Sequence, residues 1–221
     1  MAEWVFDKRG GTCEQCGQQF QTLARHWSQS QDCEFRSLSD HQREIVRGLL
    51  LGDGSLEAND LTYLRCGSKR QSHLEWLAEE LGWLARGITI DSGETYRLRT
   101  MSHPNLGRYW TWMEAPSTGY TLTPTAARVW YACDGTISFA GTSDVPQITF
   151  AASSDAKREA VAQLLTQRGF EPLTWERRVA LPREQTKPWL NWIGDPAPGS
   201  EYKCVPCAVP PTRRGHHQLR A

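Results

Sequence analysis

The pattern of hydrophobic and polar positions predicts a series of helices and strands that begins after residue 36. Ser39 and Gln42 have the spacing of a capping box, which indicates the start of a helix. Ile45, Gly48 and Leu49 then lie on one face of that helix. The pattern beyond it predicts two strands, a helix, two strands and a final helix, at residues 55–57, 61–66, 71–83, 88–90, 96–101 and 103–113.

The second half of the chain predicts the same order of elements. Thr123 is a candidate N-cap with Pro124 at the first helical position, and this helix runs to Cys133. Because the two halves share little sequence identity, the repeat rests on the order of elements. Strands are predicted at 136–139 and 147–151, and the alternating run WERRVAL predicts a third at 175–181. Helices are predicted at 155–168 and 183–193.

Two glycines fall on the apolar face of the first predicted helix. Gly48 and Gly52 each lower helix stability by about 1 kcal/mol relative to alanine. Small residues four positions apart allow a second helix to approach closely. We therefore expect this helix to pack against another helix through its glycines.

Each half also carries an aspartate that is followed by glycine at the end of its first helix. Asp53 lies in GLLLGDGSL (48–56), and Asp134 lies in a weaker echo, RVWYACDGTI (128–137). A carboxylate is unfavourable at the C-terminal end of a helix dipole, which argues against a purely structural role. Two carboxylates presented to one site suit phosphodiester chemistry with divalent metal ions. Asp53 and Asp134 are therefore candidate metal ligands and catalytic residues.

Composition argues against membrane and secreted proteins. The 221 residues are 39% hydrophobic, with no apolar run near the roughly 18 residues of a membrane span, and the start lacks the apolar stretch of a signal peptide. We expect a soluble, intracellular protein whose seven cysteines are reduced thiols or metal ligands. The net charge of zero is unusual for a nucleic-acid-binding protein. Arginine nevertheless outnumbers lysine 20 to 5, which favours recognition of phosphate and guanine.

Cysteine and histidine residues near the N-terminus have the spacing of a small zinc site. Cys13, Cys16, His26 and Cys33 provide four ligands of the types that bind tetrahedral zinc. Such a short segment needs a metal to fold, because it has few hydrophobic residues of its own. The sequence therefore predicts one structural zinc ion here.

A second cysteine pair has three possible roles. Cys204 and Cys207, with His216 and His217 nearby, form a separate zinc site, complete a site with Cys13 and Cys16, or bind no metal. Two further cysteines, Cys66 and Cys133, are expected to be small buried residues.

The ordered set of motifs resembles the LAGLIDADG homing endonucleases of the monomeric, two-motif type. VRGLLLGDG (46–54) matches the first signature, and LTPTAARVWYACDG (122–135) resembles the second. SHPNL (102–106) and PGSEYK (198–203) resemble further elements of the family. The resemblance covers about residues 37–203, and it is more specific than a single acidic-glycine motif.

The resemblance implies an α+β fold with two pseudo-symmetric αββαββα units, whose sheets form a DNA-binding saddle. It divides the chain into a zinc-finger-like segment (1–36), two units (37–114 and 115–203) and a tail that carries Cys204 and Cys207 (204–221). By the same resemblance the protein is a monomer that binds duplex DNA over a long recognition site. Asp53 and Asp134 would bind Mg²⁺ or Mn²⁺, and Lys203 matches a basic residue at the edge of the active site.

Three departures from the family pattern affect the second motif. The double acid that precedes the glycine in the family is reduced to Cys133-Asp134, although the acid carried over is the second one. Val129 and Cys133 stand where the first motif has Gly48 and Gly52, so the helix contact is bulkier on one side. Residues 114–121 also lack the lysine that is often the partner of Lys203 in this family. We expect one of the two active centres to be weaker, which would favour strand-biased nicking.

Basic residues supply candidates for DNA binding. Arg97 and Arg99 alternate along one predicted strand, so they project from the same face of the sheet. The other candidates are Arg65, Lys69 and Arg70 in the first unit, and Arg177 and Arg178, with Lys157 and Arg158, in the second.

Two alternative functions share the expected fold. The first is a DNA-binding regulator that has lost cleavage, which the retained aspartates oppose and the missing lysine and neutral charge favour. The second is an RNA maturase that assists intron splicing.

Overall fold

The computed structural model describes residues 3–7, 10–58, 61–91, 94–114, 116, 119–139 and 145–204. The N-terminal segment has two strands that form a small hairpin, one further strand and a short helix: β1 (Glu3–Asp7), β2 (Gly11–Thr12), β3 (Gln19–Phe20) and α1 (Leu23–Gln29). Within the part of the chain that the structure describes, no helix has the length and hydrophobicity to cross a bilayer.

In the first unit, helices pack against one face of an antiparallel sheet. Its elements are α2 (Asp40–Leu51), β4 (Ser55–Ala58), β5 (Thr62–Ser68), α3 (Gln71–Leu81), β6 (Ala85–Asp91), β7 (Thr95–Thr100) and α4 (Tyr109–Glu114). The sheet has the order β1-β6-β7-β5-β4, so β1 from the N-terminal segment forms one edge.

The second unit repeats this order with a smaller sheet. Its elements are α5 (Pro124–Asp134), β8 (Gly135–Ser138), β9 (Gln147–Ala151), α6 (Asp155–Thr166), β10 (Leu173–Trp175), β11 (Arg178–Ala180) and α7 (Arg183–Ile193). The sheet has the order β10-β11-β9-β8. The predicted repeat of helix, two strands, helix, two strands and helix is confirmed in both units.

The predicted helix starts are confirmed by their hydrogen bonds. Ser39 accepts from the backbone of Gln42, and the Gln42 side chain accepts from the backbone of Ser39, which completes the capping box. Thr123 accepts from the backbone of Ala126, and Pro124 is the first residue of α5.

Two predicted elements are divided in the structure. The helix predicted at 103–113 is a 3₁₀ turn, Pro104–Leu106, followed by α4. The strand predicted at 175–181 was wrong as one element: Glu176 and Arg177 form a turn that joins β10 to β11. The alternating pattern hides this turn, because the buried residues of the run all lie in or after β11, while every residue of β10 is exposed.

One face of each sheet packs against helices and forms a separate core. The first core includes Leu64, Leu98 and Ile88 beneath the five-stranded sheet. The second includes Phe150 and Trp189, which contact each other across α7 and β9. The opposite face of each sheet is left for solvent or for a partner.

Helices α2 and α5 cross in close contact, as the glycines predict. A Cβ atom at Gly48 would lie 2.5 Å from the carbonyl oxygen of Ala126 and 2.7 Å from Cβ of Val129. A Cβ atom at Gly52 would lie 2.5 Å from Cβ of Cys133. The bulkier residues of the second motif therefore fill the space that the glycines of the first motif leave.

We expect Gly48→Ala to lower the free energy of unfolding by about 1–3 kcal/mol, although alanine favours a helix. The carbonyl oxygen of Ala126 belongs to the backbone, so it cannot move aside without disturbing α5. Gly67→Ala is the control, since its nearest atom would be 3.7 Å away. Thermal unfolding of both variants measures the effect, and equal melting temperatures would contradict the proposed close contact.

The N-terminal segment is attached to the first unit in three places. β1 pairs antiparallel with β6, and Trp27 of α1 packs edge-on against Trp83 with ring centroids 5.7 Å apart. His103 joins the two parts as well: one ring nitrogen lies 3.0 Å from the carbonyl oxygen of Arg36, and the other accepts from the backbone of Asn105. His103 therefore caps the 3₁₀ turn that follows it.

Candidate functional site

The two aspartates of the signature motifs lie side by side where α2 and α5 cross. Asp134 is the last residue of α5, and Asp53 follows α2 by two positions. Burial raises the pKa of the Asp134 carboxyl group to about 6, with Lys157 opposing this and the charge of nearby Asp53 adding to it. The helix crossing therefore brings two acidic side chains together, with Lys157 beside Asp134.

Lys203 lies under this pair and binds the end of α5. Its Nζ donates to the carbonyl oxygens of Tyr131 (3.3 Å), Ala132 (2.7 Å) and Cys133 (3.0 Å). Burial lowers the pKa of this ammonium group, while the charges of the nearby acids oppose that shift. Lys203 thus neutralises the negative end of the α5 dipole, where Asp134 is otherwise unfavourable.

A cavity of about 690 Å³ opens beside Asp53. It lies between β5, the start of α3 and residues 199–203. It contains four of the predicted DNA-binding residues and the predicted basic residue, namely Arg65, Lys69, Arg70, Arg97 and Lys203.

A second cavity, of about 430 Å³, lies beside the C-terminal end of α2. Lys157 lines it and approaches Asp134, with Nζ 3.4 Å from Oδ2. Lys157 is the third residue of α6, and His73 is the third residue of α3, so the two occupy equivalent places in the two units. Lys157 is predicted only as a DNA-binding residue; its position in the repeated helix is the sequence signal that it lies near the carboxylates.

The other polar groups around the first cavity are neutral. Burial lowers the pKa of His73, raises the pKa of the Cys133 thiol to about 12, and holds the pKa of the Cys66 thiol well above its usual value. Nε2 of His73 lies 3.9 Å from Sγ of Cys133. Cys66 is buried and Cys133 is nearly so, which agrees with the expected packing roles.

The arginines of the first sheet share the outward face. Arg65 and Arg99 are direct cross-strand partners. Arg65 forms an ion pair with Glu57 at 2.6 Å, and Arg97 forms one with Asp91 at 2.5 Å.

The remaining DNA-binding candidates lie at the edges of this surface. Arg70 donates to the backbone of Gly199 and lies 3.8 Å over the ring of Tyr202. Lys69 is exposed beside it. In the second unit, Arg177 lies in the β10–β11 turn, and Arg178 lies on the outward face, 5.7 Å over the ring of Trp175.

The four N-terminal ligands predicted for zinc converge. The ligand atoms of Cys13, Cys16, His26 and Cys33 all lie within 4.8 Å of one another, and Sγ of Cys16 lies 3.6 Å from Nε2 of His26. Burial would raise the pKa of Cys13, but hydrogen bonds from the backbone of Cys16 and Gln15 outweigh it and lower this pKa to about 6. A thiolate at this position suits a tetrahedral zinc site.

The second cysteine pair is only partly described. Cys204 packs against the core of the second unit and is not one of the four clustered ligands. Cys207, His216 and His217 lie outside the described residues. The first cluster already holds four ligands, so it does not need Cys204.

Comparisons with known proteins identify the fold. The chain is similar to the homing endonuclease I-WcaI bound to its DNA recognition sequence, with a TM-score of 0.63 and 16% identity over 83% of this chain and 92% of that chain. It is also similar to I-DmoI in complex with DNA and Ca, with a TM-score of 0.52 and 14% identity over 73% of this chain and 95% of that chain. No protein-family model and no curated protein matches it. These similarities confirm the predicted α+β fold of the homing endonucleases.

The residues present at the carboxylate pair fit a divalent cation. Carboxylate oxygens are the ligands that Mg²⁺ and Mn²⁺ prefer. Burial is the main cause of the raised pKa of Asp134, and a cation bound between the carboxyl groups would favour their charged forms.

We expect the Asp134 carboxyl group to contribute more to the unfolding free energy in magnesium-free buffer as the pH falls from about 7 to 4. The folded-state pKa of Asp134 is raised from 3.8 to about 6, so the folded protein takes up a proton that the unfolded chain does not yet bind. A shift of this size corresponds to about 3 kcal/mol, present in full below the unfolded pKa and lost as the pH rises through the folded one. Chemical denaturation of wild type and Asp134→Asn across this range measures the difference, and identical pH dependence in both would contradict the assignment.

Proposed function

We propose that this chain is a site-specific double-strand DNA endonuclease of the homing type that uses Mg²⁺ or Mn²⁺. One observation carries the proposal: Asp53 and Asp134 come together at the helix crossing, with a sheet on each side. A bound divalent cation supplies an activated water and neutralises the charge that develops on the phosphate oxygens.

The side chains around the pair have distinct parts in this proposal. Asp53 and Asp134 hold the cations through their carboxylate oxygens. Lys203 donates to carbonyls at the end of α5 and so keeps Asp134 in place while adding positive charge beneath the site. Lys157 lies beside Asp134 and forms an ion pair with it. It provides a lysine near this carboxylate, although residues 114–121 lack the one expected from the family pattern.

The proposed partner is duplex DNA with a long recognition site, bound by a monomer. Two sheets with free outward faces flank the carboxylates, and the two similar structures named above were solved with DNA bound. On the first sheet Arg65 and Arg97 are paired with Glu57 and Asp91, and Arg99 adds a further positive charge to the same face.

We further propose that the Cys13–Cys16–His26–Cys33 cluster holds one structural zinc ion. The division into residues 1–36, 37–114, 115–203 and 204–221 remains our proposal for the domains. In it, β1 belongs to the sheet of the first unit although it precedes the zinc cluster.

The test uses the DNA that flanks the gene, joined as it would be without the insertion, in a plasmid. We expect the purified protein to linearise this plasmid in magnesium and to leave an unrelated plasmid intact. Tight binding without cleavage would favour the regulator, and selective binding of the matching intron RNA would favour the maturase. Failure to bind or cut any of these substrates would contradict the proposal.

A further inference from the structure

The two sheets can be compared position by position, because both begin just after an aspartate. Ser55 and Thr136 each lie two residues after the aspartate of their unit. Ser55 pairs with Arg65, and Thr136 pairs with Thr149. Arg65 and Thr149 therefore occupy equivalent positions in the two units.

The same register extends across the sheets. Arg65 pairs in turn with Arg99 on β7, and Thr149 pairs with Ala180 on β11. Residues that alternate with these positions, such as Leu64 and Phe150, belong to the two cores. Arg65, Arg99 and Thr149 therefore lie on the outward faces and are partly exposed, whereas Ala180 has the same register but is fully buried.

The outward face of the first sheet is charged, and that of the second is nearly uncharged. Arg97 is matched by a second arginine, Arg178, through the same register. The other charged positions lose their charge in the second unit: Glu57, Arg65 and Arg99 correspond to Ser138, Thr149 and Ala180.

At the edge of the second sheet, large apolar side chains occupy outward positions. Gly87 and Thr89 of β6 correspond to Leu173 and Trp175 of β10. Leu173 is 45% exposed and Trp175 is 43% exposed. Large apolar side chains that stay exposed on a binding face indicate a contact partner.

The charged face of the first sheet suits guanine and cytosine. Arginine binds guanine bidentately in the major groove, and glutamate accepts from the amino group of cytosine. Glu57 holds Arg65 at 2.6 Å, and Arg99 lies 3.7 Å over the ring of Tyr63. These contacts orient the guanidinium groups before DNA binds, which favours selective contacts.

The uncharged face of the second sheet suits adenine and thymine. Glutamine binds adenine bidentately, and apolar or threonine side chains contact the methyl group of thymine. Gln147 replaces Tyr63 at the equivalent position, and its amide nitrogen donates to the carbonyl of Leu181 at 3.2 Å, which fixes the side chain. Thr149 lies beside it on the same strand and face.

We infer that the recognition site is compositionally asymmetric, with a G·C-rich half bound by the first sheet and an A·T-rich half bound by the second. This inference rests on the proposed function, since it requires both sheets to lie in the major groove of one duplex. It identifies Arg65 and Thr149 as matched specificity-determining residues.

The test is selection of bound sequences from a library of random duplexes in magnesium-free buffer. The wild-type protein should enrich a site with one G·C-rich and one A·T-rich half. Arg65→Thr should reduce the preference for guanine about tenfold or more at a position within the G·C-rich half. Thr149→Arg should create a guanine preference at the matching position of the other half.

The outcomes separate the inference from the proposed function. A selected site with equal composition in both halves overturns the inference, and so does loss of guanine preference in the A·T-rich half upon Arg65→Thr. If the wild-type protein enriches no sequence, the proposed function fails and the inference fails with it. Thermal unfolding shows whether each variant is folded, and the composition of the wild-type site decides the question without any variant.

Discussion

Replacing Asp53 or Asp134 by asparagine should reduce double-strand cleavage by about a hundredfold or more while DNA affinity changes only a few-fold. Asparagine keeps the shape of the side chain and one oxygen ligand, but it removes the charge that holds a divalent cation. Stabilisation of transition-state charge by a metal ion contributes several kcal/mol, and each 1.36 kcal/mol is worth about tenfold in rate.

The measurement is plasmid cleavage in magnesium beside a binding assay with the same DNA. Asp40→Asn is the matched control, because Asp40 lies at the opposite end of α2 and its side chain is 94% exposed. The control should cut at the wild-type rate. If Asp53→Asn or Asp134→Asn cuts both strands as fast as wild type, these residues do not bind a catalytic metal.

Loss of the zinc cluster should destabilise the first unit as well as the N-terminal segment. Structural zinc binding contributes on the order of 10 kcal/mol to the folding of small fingers. The buried residues Cys13, Trp27 and Cys33 form one cluster with Met101, and partly buried Trp83 packs against it. We therefore expect Cys16→Ser to remove about one zinc ion per chain and to lower the melting temperature.

Cys16 is a suitable position because its side chain is exposed, so serine disturbs ligation more than packing. Cys204→Ser is the control, and it should retain the zinc that wild type binds at the N-terminal cluster. Zinc content by elemental analysis and the melting temperature are measured on all three proteins. Wild-type protein that contains no zinc, or Cys16→Ser with unchanged zinc content, would contradict the assignment.

The structure changes the expected asymmetry between the two active centres. The missing lysine in residues 114–121 predicts a weaker centre. Lys157 of α6, however, places an ammonium group 3.4 Å from the Asp134 carboxylate. Asp53 is exposed, whereas Asp134 is partly buried. The two centres thus differ in the burial of their acids and in the position of their nearest lysine.

The amino-acid sequence alone predicted those elements that are set by residues close together in the chain. The capping box of Ser39 and Gln42, the Thr123–Pro124 start of α5 and the repeated order of elements were all readable, because each depends on contacts within a few residues. The glycines of the first motif also signalled a close helix contact, since their cost within a helix requires compensation.

Only the tertiary structure decided which distant groups meet. It placed Lys203 against the last carbonyls of α5, brought Lys157 to Asp134 and added β1 to the first sheet. It also put a turn within the alternating run at 175–181. Such contacts join residues far apart in sequence and depend on how whole elements pack, so no local pattern of side chains contains them.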